Sequence, residues 1–467
     1  MDYRDNIRRA CVLLLYCFLP ILLALGYRQV VQAEWLRSHE HNRRREYVRR
    51  HIVRGSILDR DGLVLAENNP GAAGEDGDQA PRWYPLLQAA SHVVGYQAQV
   101  HGRAGLELRQ DDALLGLGDY HDVLRAYGGR RQGHNLITTL AGDVQERAFE
   151  RLGLRRGAVV AIQPATGEIL ALASAPAFNP NFVDRDWEQL TADEDLPLLN
   201  RATSGLYPPG SAFKVVVAMA ALDSGVCSED TIFTCRGRET VGGASVQCHR
   251  RSGHGRISFR RAFAQSCNIA FAKLGLQVGG AALDDYVDRL RLRQSLDVGV
   301  PVKAGRLPRF SEADQQALVL ASFGQGQVVV TPTAMCVVAA TVANGGRLMQ
   351  PHLVRRVKAL DAALVAAVEP QLVQQVVSED TARRLRALMV GAVREGTGKK
   401  ARIPGVEVAG KTGTAENETG HDHAWFVAFA PAQQPRAAVA VLLEQAGHGS
   451  GEAARVARLV LEKILAG

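Results

Sequence analysis

The sequence predicts an α/β protein of the α+β class. Its main domain has one sheet, which strands from the two ends of that domain complete. Strand-like runs stand at the start of this domain, near residues 158–173, and again at its end, near residues 406–443. Helical patterns fill much of the interval. Because strands at both ends with helices between them are typical of a sheet covered by helices, we expect the first and last strands to be neighbours.

The chain has 467 residues, of which 46% are hydrophobic and 22% are charged. This length and composition predict two or three globular domains. A formal net charge of +7 requires nucleic-acid binding to be considered. No finger, homeodomain or RNA-binding signature focuses the basic residues, so no nucleic-acid partner is expected. One basic run is either a solvated face or a contact with anionic lipid or polymer: Arg43, Arg44, Arg45, Arg49, Arg50 and Arg54.

The N-terminus carries an uncharged, mostly apolar run from Ala10 to Gly26. We interpret residues 10–27 as a single transmembrane anchor that follows a cytoplasmic tail of residues 1–9. The alternative is a cleaved signal peptide ending near Ala33, but Arg28 and the length of the run favour the anchor. Either interpretation places the rest of the chain outside the cytoplasm, and the anchor places it on the cytoplasmic (inner) membrane.

Residues 28–150 form a first region. In it, the strand-like runs 57–58 and 63–65 flank a turn signal at Asp59–Gly62. Pro70–Asp78 is a predicted flexible loop. Residues 151–467 form the main domain, which begins with a predicted hairpin of two buried strands, Ala158–Ile162 and Ile169–Ala173. The remaining predicted elements are helices at 211–224, within 258–345 and at Glu452–Leu465, and strands at Val406–Ala409, Ala424–Ala430 and Ala437–Leu443.

Lysine is scarce in this chain, which uses arginine for most of its positive charge. There are 55 basic residues, none of the first 213 residues is a lysine, and the lysines are Lys214, Lys273, Lys303, Lys358, Lys399, Lys400, Lys411 and Lys463. Arginine cannot lose its proton in a protein, whereas a buried lysine can. A lysine kept against this background suggests proton-transfer chemistry.

Ser211 and Lys214 form a first motif, S-x-x-K, directly after a Pro-Pro-Gly break and before a run of Val and Ala. This position predicts a serine near a helix N-terminus with an amine one turn away. Such a pair suits a nucleophile beside its base, with free helical N–H groups to hold an oxyanion. The alternative is an N-cap serine with a surface lysine.

Ser266-Cys267-Asn268 is a second motif, between a short helical stretch and an apolar run. The hydroxyl could relay a proton, and the amide could hold a substrate carbonyl. Taken alone, the motif is better explained as a helix N-terminal cap.

Lys411-Thr412-Gly413-Thr414 is a third motif, predicted to follow a strand. Gly413 allows close approach of the backbone to a ligand, and the flanking hydroxyls with Lys411 suit a carboxylate. The backbone N–H of Thr414 could complete an oxyanion hole. The alternative is a strand end with a solvated lysine.

The three motifs in this order resemble those of the penicillin-recognising serine enzymes, the penicillin-binding proteins and serine β-lactamases. Further strings resemble the class B, monofunctional penicillin-binding proteins and their pedestal domain. They are Pro164–Ala171, Gly324–Gly326 before Thr331-Pro332, Ala409-Gly410 and Trp425-Phe426, and in the first region Arg54–Gly62, His92–Tyr96 and Gly105–Glu107.

This resemblance implies a β-lactamase/transpeptidase-like domain, with an antiparallel sheet flanked by helices, behind a small pedestal or dimerisation-like domain at residues 28–150. It implies a peptidoglycan D,D-transpeptidase in which Ser211 attacks the D-Ala–D-Ala carbonyl of a stem peptide and is inhibited by β-lactams. Lys214 would be the acylation base, Ser266 and Lys411 would shuttle the proton, and Asn268 would orient the acyl chain. Thr412, Gly413 and Thr414 would bind the substrate, with Thr412 and Thr414 on its terminal carboxylate.

The resemblance also implies a separate membrane glycosyltransferase partner of the shape, elongation, division and sporulation family, because the first region has no room for a fused one. It implies no cofactor. It leaves open which of these cellular processes the chain serves.

The chain has seven cysteines. No spacing among them matches a zinc site or a C-x-x-C redox pair, so no metal is expected. We predict a disulfide between Cys235 and Cys248, which bracket a Gly-rich stretch in what should be an oxidising compartment. The alternatives are free thiols or pairing with Cys227.

Three rival functions share the motifs. A β-lactamase needs a base, usually a glutamate, to activate a deacylating water, and no such motif occurs near residues 295–310. A penicillin sensor or scaffold would tolerate loss of Lys214 or Asn268, but both are present. A D,D-carboxypeptidase differs only in its acyl acceptor and stays open.

Overall fold

The structure is a computed structural model that describes residues 3–32, 35, 52–69, 80–117, 131–359, 362–415, 422–446 and 451–467. The arginines of the basic run other than Arg54, the loop Pro70–Asp78 and the signal-cleavage residue Ala33 lie outside the described residues.

The helices lie mainly after residue 140. They are α1 (Tyr3–Val30), α2 (Ser91–Val94), α3 (Gly105–Arg109), α4 (Asp111–Leu114), α5 (Gly142–Leu152), α6 (Val183–Ala192), α7 (Lys214–Asp223), α8 (Phe259–Ala264), α9 (Asn268–Val278), α10 (Gly280–Arg289), α11 (Gln315–Ala321), α12 (Pro332–Ala343), α13 (Glu379–Arg394) and α14 (Glu452–Ala466), with 3₁₀ turns at Leu87–Ala90, Pro180–Phe182, Gly210–Phe213 and Lys399–Ala401.

The strands are spread along the whole described chain after residue 51. They are β1 (Ile52–Val53), β2 (Ile57–Leu58), β3 (Val64–Asn68), β4 (Arg82–Trp83), β5 (Arg131–Gln132), β6 (Asn135–Thr138), β7 (Gly157–Ile162), β8 (Ile169–Ala175), β9 (Ile232–Cys235), β10 (Arg238–Val241), β11 (Ala244–Gln247), β12 (Gly255–Ser258), β13 (Leu296–Asp297), β14 (Pro301–Val302), β15 (Arg347–Met349), β16 (Val354–Lys358), β17 (Leu364–Ala367), β18 (Leu372–Gln375), β19 (Ala409–Ala415), β20 (His423–Ala430) and β21 (Ala437–Leu443).

Helix α1 contains the predicted anchor and extends it at both ends. It is long and apolar enough to cross a membrane, and its residues are exposed along its whole length. Within the part of the chain that the structure describes, it is the helix that meets this length and composition.

The central sheet joins the two ends of the main domain, as the sequence predicts. Its order is β19-β20-β21-β7-β8, and each neighbouring pair is antiparallel. The hairpin β7–β8 therefore lies beside β21 from the far end of the chain, with Val439 opposite Ala161. This confirms the predicted neighbourhood of first and last strands.

Both faces of this sheet are buried, which explains why its strands read as continuous apolar runs. Successive residues of a strand point to opposite faces. Ala158 and Val160 belong to the large core that includes α12, whereas Val159 and Ala161 belong to a second core with α5 and α14. The edge strand β19 is therefore fixed on a rigid support.

A second sheet, of order β17-β16-β6-β2-β3-β4, organises the first region. Two of its strands, β16 and β17, come from residues 354–367, far along the chain. Helix α5 begins at Gly142 and packs on the second core of the central sheet. Residue 150, where the sequence analysis divides the chain, lies inside α5, and residues 354–367 return to the sheet of the first region.

A buried cluster of ion pairs connects the segments Arg54–Gly62 and Gly105–Glu107 of the first region. Arg54 Nε lies 2.7 Å from Glu107 Oε2, and Arg82 Nη2 lies 2.8 Å from Glu107 Oε1. Arg54 also contacts Asp111. Burial alone would raise the pKa of Glu107, but the guanidinium groups of Arg82 and Arg54 outweigh it and lower that pKa.

Candidate active site

Ser211 lies in the 3₁₀ turn Gly210–Phe213, which runs directly into α7 at Lys214. Residues three apart eclipse one another in a 3₁₀ turn, so Ser211 and Lys214 lie on one side of it. The turn is held from two directions. Trp425 Nε1 donates to the Pro208 carbonyl at 2.8 Å, and the Gly210 N–H donates to the Gly324 carbonyl at 3.0 Å.

Lys214 is fully buried, which rules out the surface-lysine alternative for the first motif. Its Nζ donates to the Ser266 carbonyl at 2.8 Å, to Asn268 Oδ1 at 2.7 Å and to Ser266 Oγ at 3.2 Å. Burial lowers the pKa of Lys214 to about 7. Near neutral pH this amine therefore exists in substantial part as the free base.

The side chains of the second motif do not cap helix α9. Cys267 is the N-cap residue of α9 and makes no side-chain capping bond, while Ser266 and Asn268 both turn toward Lys214. Ser266 has φ of 54°, a left-handed conformation that costs on the order of 1 kcal/mol or more in a residue other than glycine. The hydrogen bonds to its carbonyl and hydroxyl hold it there.

Lys411 is fully buried in the middle of the edge strand β19, so the third motif is inside a strand and not after one. Its Nζ donates to Ser266 Oγ at 2.9 Å and to the Thr412 carbonyl at 3.0 Å. Burial, with the nearby positive charge of Lys214, lowers the pKa of Lys411 well below its usual value. Ser266 Oγ is thus hydrogen-bonded to both lysines.

Gly413 lets β19 run against the nucleophile turn. A β-carbon at this position would lie 2.7 Å from the Pro209 carbonyl oxygen, 2.8 Å from Trp425 Cβ and 3.1 Å from the Ala212 nitrogen. Any larger residue would push the strand away from the turn that carries Ser211. The sequence predicts that this glycine lets the backbone approach a ligand. In the structure the same glycine lets the strand approach the turn that carries Ser211.

The structure adds one polar partner that the sequence did not indicate. Thr412 is largely buried, and its Oγ1 lies 2.6 Å from Thr397 Oγ1. Thr397 follows α13 in a loop, and nothing in its local sequence marks it as a site residue. Thr414 pairs with Ala424 of β20 and lies in the same strand.

Four ligand-type residues gather at the second motif, one of them the motif's own Cys267, and we term them the cysteine–histidine cluster: Cys235, Cys248, His254 and Cys267. In the structure Cys235 and Cys248 are not bonded to each other and every cysteine is a free thiol, so the predicted disulfide stays a prediction. The thiol of Cys248 faces Cys267 and His254 instead. The spacing of the cysteines in the sequence does not indicate the cluster. Its members are spread over residues 235–267 and come together only when the strands between them pair.

Two family matches cover most of the chain. Residues 157–465 match the family of penicillin binding protein transpeptidase domains, and residues 54–135 match the family of penicillin binding protein A dimerisation domains. Both matches agree with the motifs placed above.

Individual relatives agree with these matches. Peptidoglycan D,D-transpeptidase PbpA of Mycolicibacterium smegmatis is 36% identical over 95% of this chain and 94% of that protein. Peptidoglycan D,D-transpeptidase MrdA of Acinetobacter baumannii is 31% identical over 82% of this chain and 66% of that protein. The structure of penicillin-binding protein A from M. tuberculosis, as a ceftriaxone acyl-enzyme complex, is similar with a TM-score of 0.83. It is 34% identical, and the alignment covers 90% of this chain and 100% of that one.

The sequence motifs, the antiparallel sheet flanked by helices and the two family matches lead to the same assignment. The chain belongs to the class B penicillin-binding proteins, the monofunctional serine D,D-transpeptidases.

Proposed function

We propose that this chain cross-links peptidoglycan by transferring a stem peptide from D-Ala–D-Ala to a neighbouring amine, through an acyl-enzyme on Ser211. Attack by Ser211 Oγ on the penultimate carbonyl breaks the peptide bond and releases D-Ala. The amine of a second stem then displaces Ser211 and forms the cross-link. The observation that carries the proposal is the chain of hydrogen bonds from Lys214 through Ser266 to Lys411 beside the Ser211 turn.

Lys214 is the base that takes the proton of Ser211. Burial lowers its pKa to about 7, which favours a neutral amine near that pH. None of its three hydrogen bonds goes to Ser211, so the neutral amine must turn from Ser266 or Asn268 to accept that proton.

Ser266 and Lys411 return the proton to the departing D-Ala amine. Ser266 Oγ accepts from Lys411 Nζ at 2.9 Å and can pass its own proton on, so the hydroxyl links the two amines. Asn268 orients the acyl chain through its amide, which is itself fixed by a 3.0 Å bond from Nδ2 to the Gln247 carbonyl.

The edge strand β19 binds the rest of the substrate. Thr412 and Thr414 hold the terminal carboxylate, and Gly413 keeps the strand close to the nucleophile turn. The backbone N–H groups of Ser211 and Thr414 supply the oxyanion hole.

We further propose that α1 anchors the enzyme in the inner membrane with residues 31–467 on the periplasmic side. A separate membrane glycosyltransferase of the shape, elongation, division and sporulation family would supply the glycan strands. The length and apolar composition of α1 support the anchor, although a signal sequence passes the same test.

β-Lactamase activity is disfavoured by the surroundings of the catalytic lysines. Within the described residues, Lys214 and Lys411 donate to hydroxyl, amide and carbonyl oxygens and to no carboxylate. Glu444, which lies near the turn, is held by Tyr207 at 2.6 Å and Arg201 at 2.8 Å. Among the described residues, a deacylating water would therefore find no carboxylate aligned as its base.

The test is product analysis with the full chain in detergent. A stem pentapeptide with and without an amine acceptor, followed by mass spectrometry, should give the cross-linked dimer and D-Ala. Tetrapeptide alone, even with excess acceptor, would instead identify a carboxypeptidase. Labelled penicillin should stay bound for many minutes in buffer, and rapid release would point to a β-lactamase.

Variants connect the products to the nucleophile. Ser211→Ala should abolish both the dimer and covalent penicillin labelling, and Ser266→Ala should slow labelling. Ser224→Ala, at the end of α7, is the matched control and should label as wild type. Labelling that survives Ser211→Ala would contradict the nucleophile assignment.

A further inference from the structure

One edge of the sheet in the first region is an exposed apolar strand. Strand β17 stands at the end of the order β17-β16-β6-β2-β3-β4, and all four of its residues, Leu364–Ala367, are exposed. Leu364 and Val365 are 60% and 50% exposed, and Val368 and Leu372, which follow them in the chain, are 42% and 51% exposed. Soluble proteins usually place charged residues or proline on such an edge, and β17 has neither.

Basic side chains lie beside this strand on the outer face of the sheet. Val357 of β16 is buried in the core, so its neighbours Arg356 and Lys358 point to the opposite face. Directly opposite residues of paired strands share a face, which places Ala367 beside Arg356 and Leu364 beside Lys358. Arg356 is exposed and Lys358 is half-buried. Aliphatic and cationic groups therefore alternate across this edge.

Half-buried apolar side chains continue the same face across the sheet. Ile137 of β6 lies opposite Arg356, and Leu58 of β2 lies opposite Ile137. Both belong to the lining of one shallow groove with Arg356 and Lys358. We term the following residues the β16–β17 patch: Leu58, Ile137, Arg356, Lys358, Leu364 and Val365.

Positive charge is in excess around the patch. Arg60 and Arg355 border it, and both pair with Glu168 at 3.2 Å. Asp61 lines the same groove, and Glu369 is exposed just beyond β17. The two basic residues of the patch itself form no ion pair within the part of the chain that the structure describes. Their charge is therefore open to an anionic ligand.

The chain enters the first region next to this patch. Residues 31–51 connect α1 to β1, and Leu58 follows β1 by five residues. At full extension this connection spans about 75 Å, which limits how far the sheet can lie from a membrane that holds α1. Basic segments beside a membrane span are attracted to anionic lipid. The connection has six arginines against three glutamates: Arg37, Arg43, Arg44, Arg45, Arg49 and Arg50, and Glu34, Glu40 and Glu46.

We propose that the β16–β17 patch docks on the anionic phospholipid surface of the membrane that holds α1. The side chains of Leu364 and Val365 enter the interface, while Arg356 and Lys358 contact lipid phosphates. Long basic side chains can hold their charged ends at the head groups while aliphatic neighbours are buried. This inference rests on the membrane anchor of the proposed function.

The composition of the patch favours lipid over other occupants. A charged polymer is bound by charge alone and needs no exposed aliphatic side chains. A protein interface is usually centred on aromatic residues, and the patch has none. A second copy of this chain, paired along the edge strand β17, would bring the basic residues of two copies close together.

The full chain in lipid nanodiscs tests the contact directly. The discs contain phosphatidylcholine and phosphatidylglycerol with brominated acyl chains, which quench a tryptophan that enters the interface. Leu364→Trp should have its added emission reduced by at least about half, relative to discs without bromine. Leu154→Trp, on a fully exposed leucine outside the patch, is the matched control and should keep its added emission. Penicillin labelling of each variant confirms that it is folded.

Charge reversal tests the basic part of the patch. In the Leu364→Trp background, Arg356→Glu combined with Lys358→Glu should restore most of the emission. Lys399→Glu combined with Lys400→Glu makes the same change of charge at two exposed lysines elsewhere, and it should leave the quenching intact. Discs of phosphatidylcholine alone should quench Leu364→Trp only weakly, because they carry no net charge.

Two results would overturn the docking of the patch on lipid. One is an unquenched Leu364→Trp in chains that remain in the anionic discs. The other is quenching that charge reversal does not change. If the unquenched chain also forms a dimer in detergent that Leu364→Glu disrupts, the occupant is a second copy.

Failure of the anchor has a different signature. A chain without a membrane anchor would leave the discs in both lipid mixtures during gel filtration. The released chain should then still sediment with phosphatidylglycerol vesicles and not with phosphatidylcholine vesicles, and failure to do so would overturn the patch as well. Transpeptidation is measured separately in detergent, so its products report on the proposed reaction alone.

Discussion

Lys214 and Lys411 share one hydrogen-bond partner, the hydroxyl of Ser266, at 3.2 and 2.9 Å. Both amines are fully buried, so the ammonium form of each is penalised by desolvation, and the charge on Lys214 further disfavours charge on Lys411. Because both lysines contact one hydroxyl, the arrangement fits the proposed relay of a proton through Ser266.

Replacing either lysine by arginine should disable this relay. Arginine keeps its proton and its planar head is larger, so Lys214→Arg should be as damaging as Lys214→Ala. We expect acylation by fluorescent penicillin to fall by at least 100-fold, about 3 kcal/mol of transition-state stabilisation. Lys411→Arg should give a comparable loss.

The control is Lys463→Arg, on the half-exposed side chain that pairs with Asp143. It should acylate at the wild-type rate. If Lys214→Arg retained more than a tenth of the wild-type rate, an amine base at this position would not be required.

Gly413→Ala should separate β19 from the nucleophile turn. The new methyl group would meet backbone atoms of Pro209 and Ala212, which cannot yield as a flexible side chain can. We expect acylation to be lost while the rest of the fold persists, measured by penicillin labelling and circular dichroism. Gly391→Ala in helix α13 is the matched control, because its new methyl group would have no neighbour within 4 Å outside that helix. It should stabilise the protein by up to about 1 kcal/mol. Full labelling by Gly413→Ala would show that the close approach is dispensable.

Much of the fold was predictable because local patterns and tertiary structure agree there. Strand β21 occurs at the predicted Ala437–Leu443, and the hairpin β7–β8 occurs with small extensions. The three catalytic motifs were placed in one site because their residue types are chemically specific. A lysine in a motif of a lysine-poor chain was a further signal, and its burial became known only from the structure.

What the sequence did not predict depends on distant pairing. Lys411 to Thr414 were expected after a strand, and lysine and glycine have low strand propensity, but pairing with β20 makes these residues part of β19. Residues 354–367 join the sheet of the first region across more than 200 positions of sequence, with Val357 opposite Leu136. Cys267 looked like a variable position, and only the folded hairpins show it beside Cys248.

Glu107→Gln should destabilise the protein without touching the active site. It removes the carboxylate that pairs with Arg54 and Arg82, and both guanidinium groups are buried. Leaving buried charge uncompensated costs about 3–5 kcal/mol. We expect a clear fall in the thermal midpoint measured by scanning fluorimetry. Glu150→Gln, which breaks a surface pair with Arg147, should change stability by less than about 1 kcal/mol. Equal midpoints for the two variants would contradict a role for the buried cluster.

His92 should make the protein sensitive to mild acid. Its ring is buried against Phe178, with centroids 5.4 Å apart, and its Nε2 lies 2.8 Å from the Pro197 carbonyl and must carry the proton of that bond. Burial lowers the pKa of His92 to about 4, with a further lowering from the charge of Arg201. The unfolded chain takes up this proton near pH 6.5 and the folded protein only near pH 4. Between these values the unfolded state binds more protons, so stability falls as the pH falls, by up to about 3 kcal/mol.

The measurement compares thermal midpoints at pH 8 and pH 4.5 for wild type and His92→Gln. Glutamine can keep a donor to the Pro197 carbonyl but cannot titrate, so the variant should lose part of the midpoint difference between the two pH values. At pH 8 the variant reports only the change in packing, which serves as the internal control. The carboxylates of the chain contribute to the acid sensitivity of both proteins equally and cancel in the comparison. If the two proteins lost the same number of degrees between pH 8 and pH 4.5, His92 would not be the acid-sensitive group.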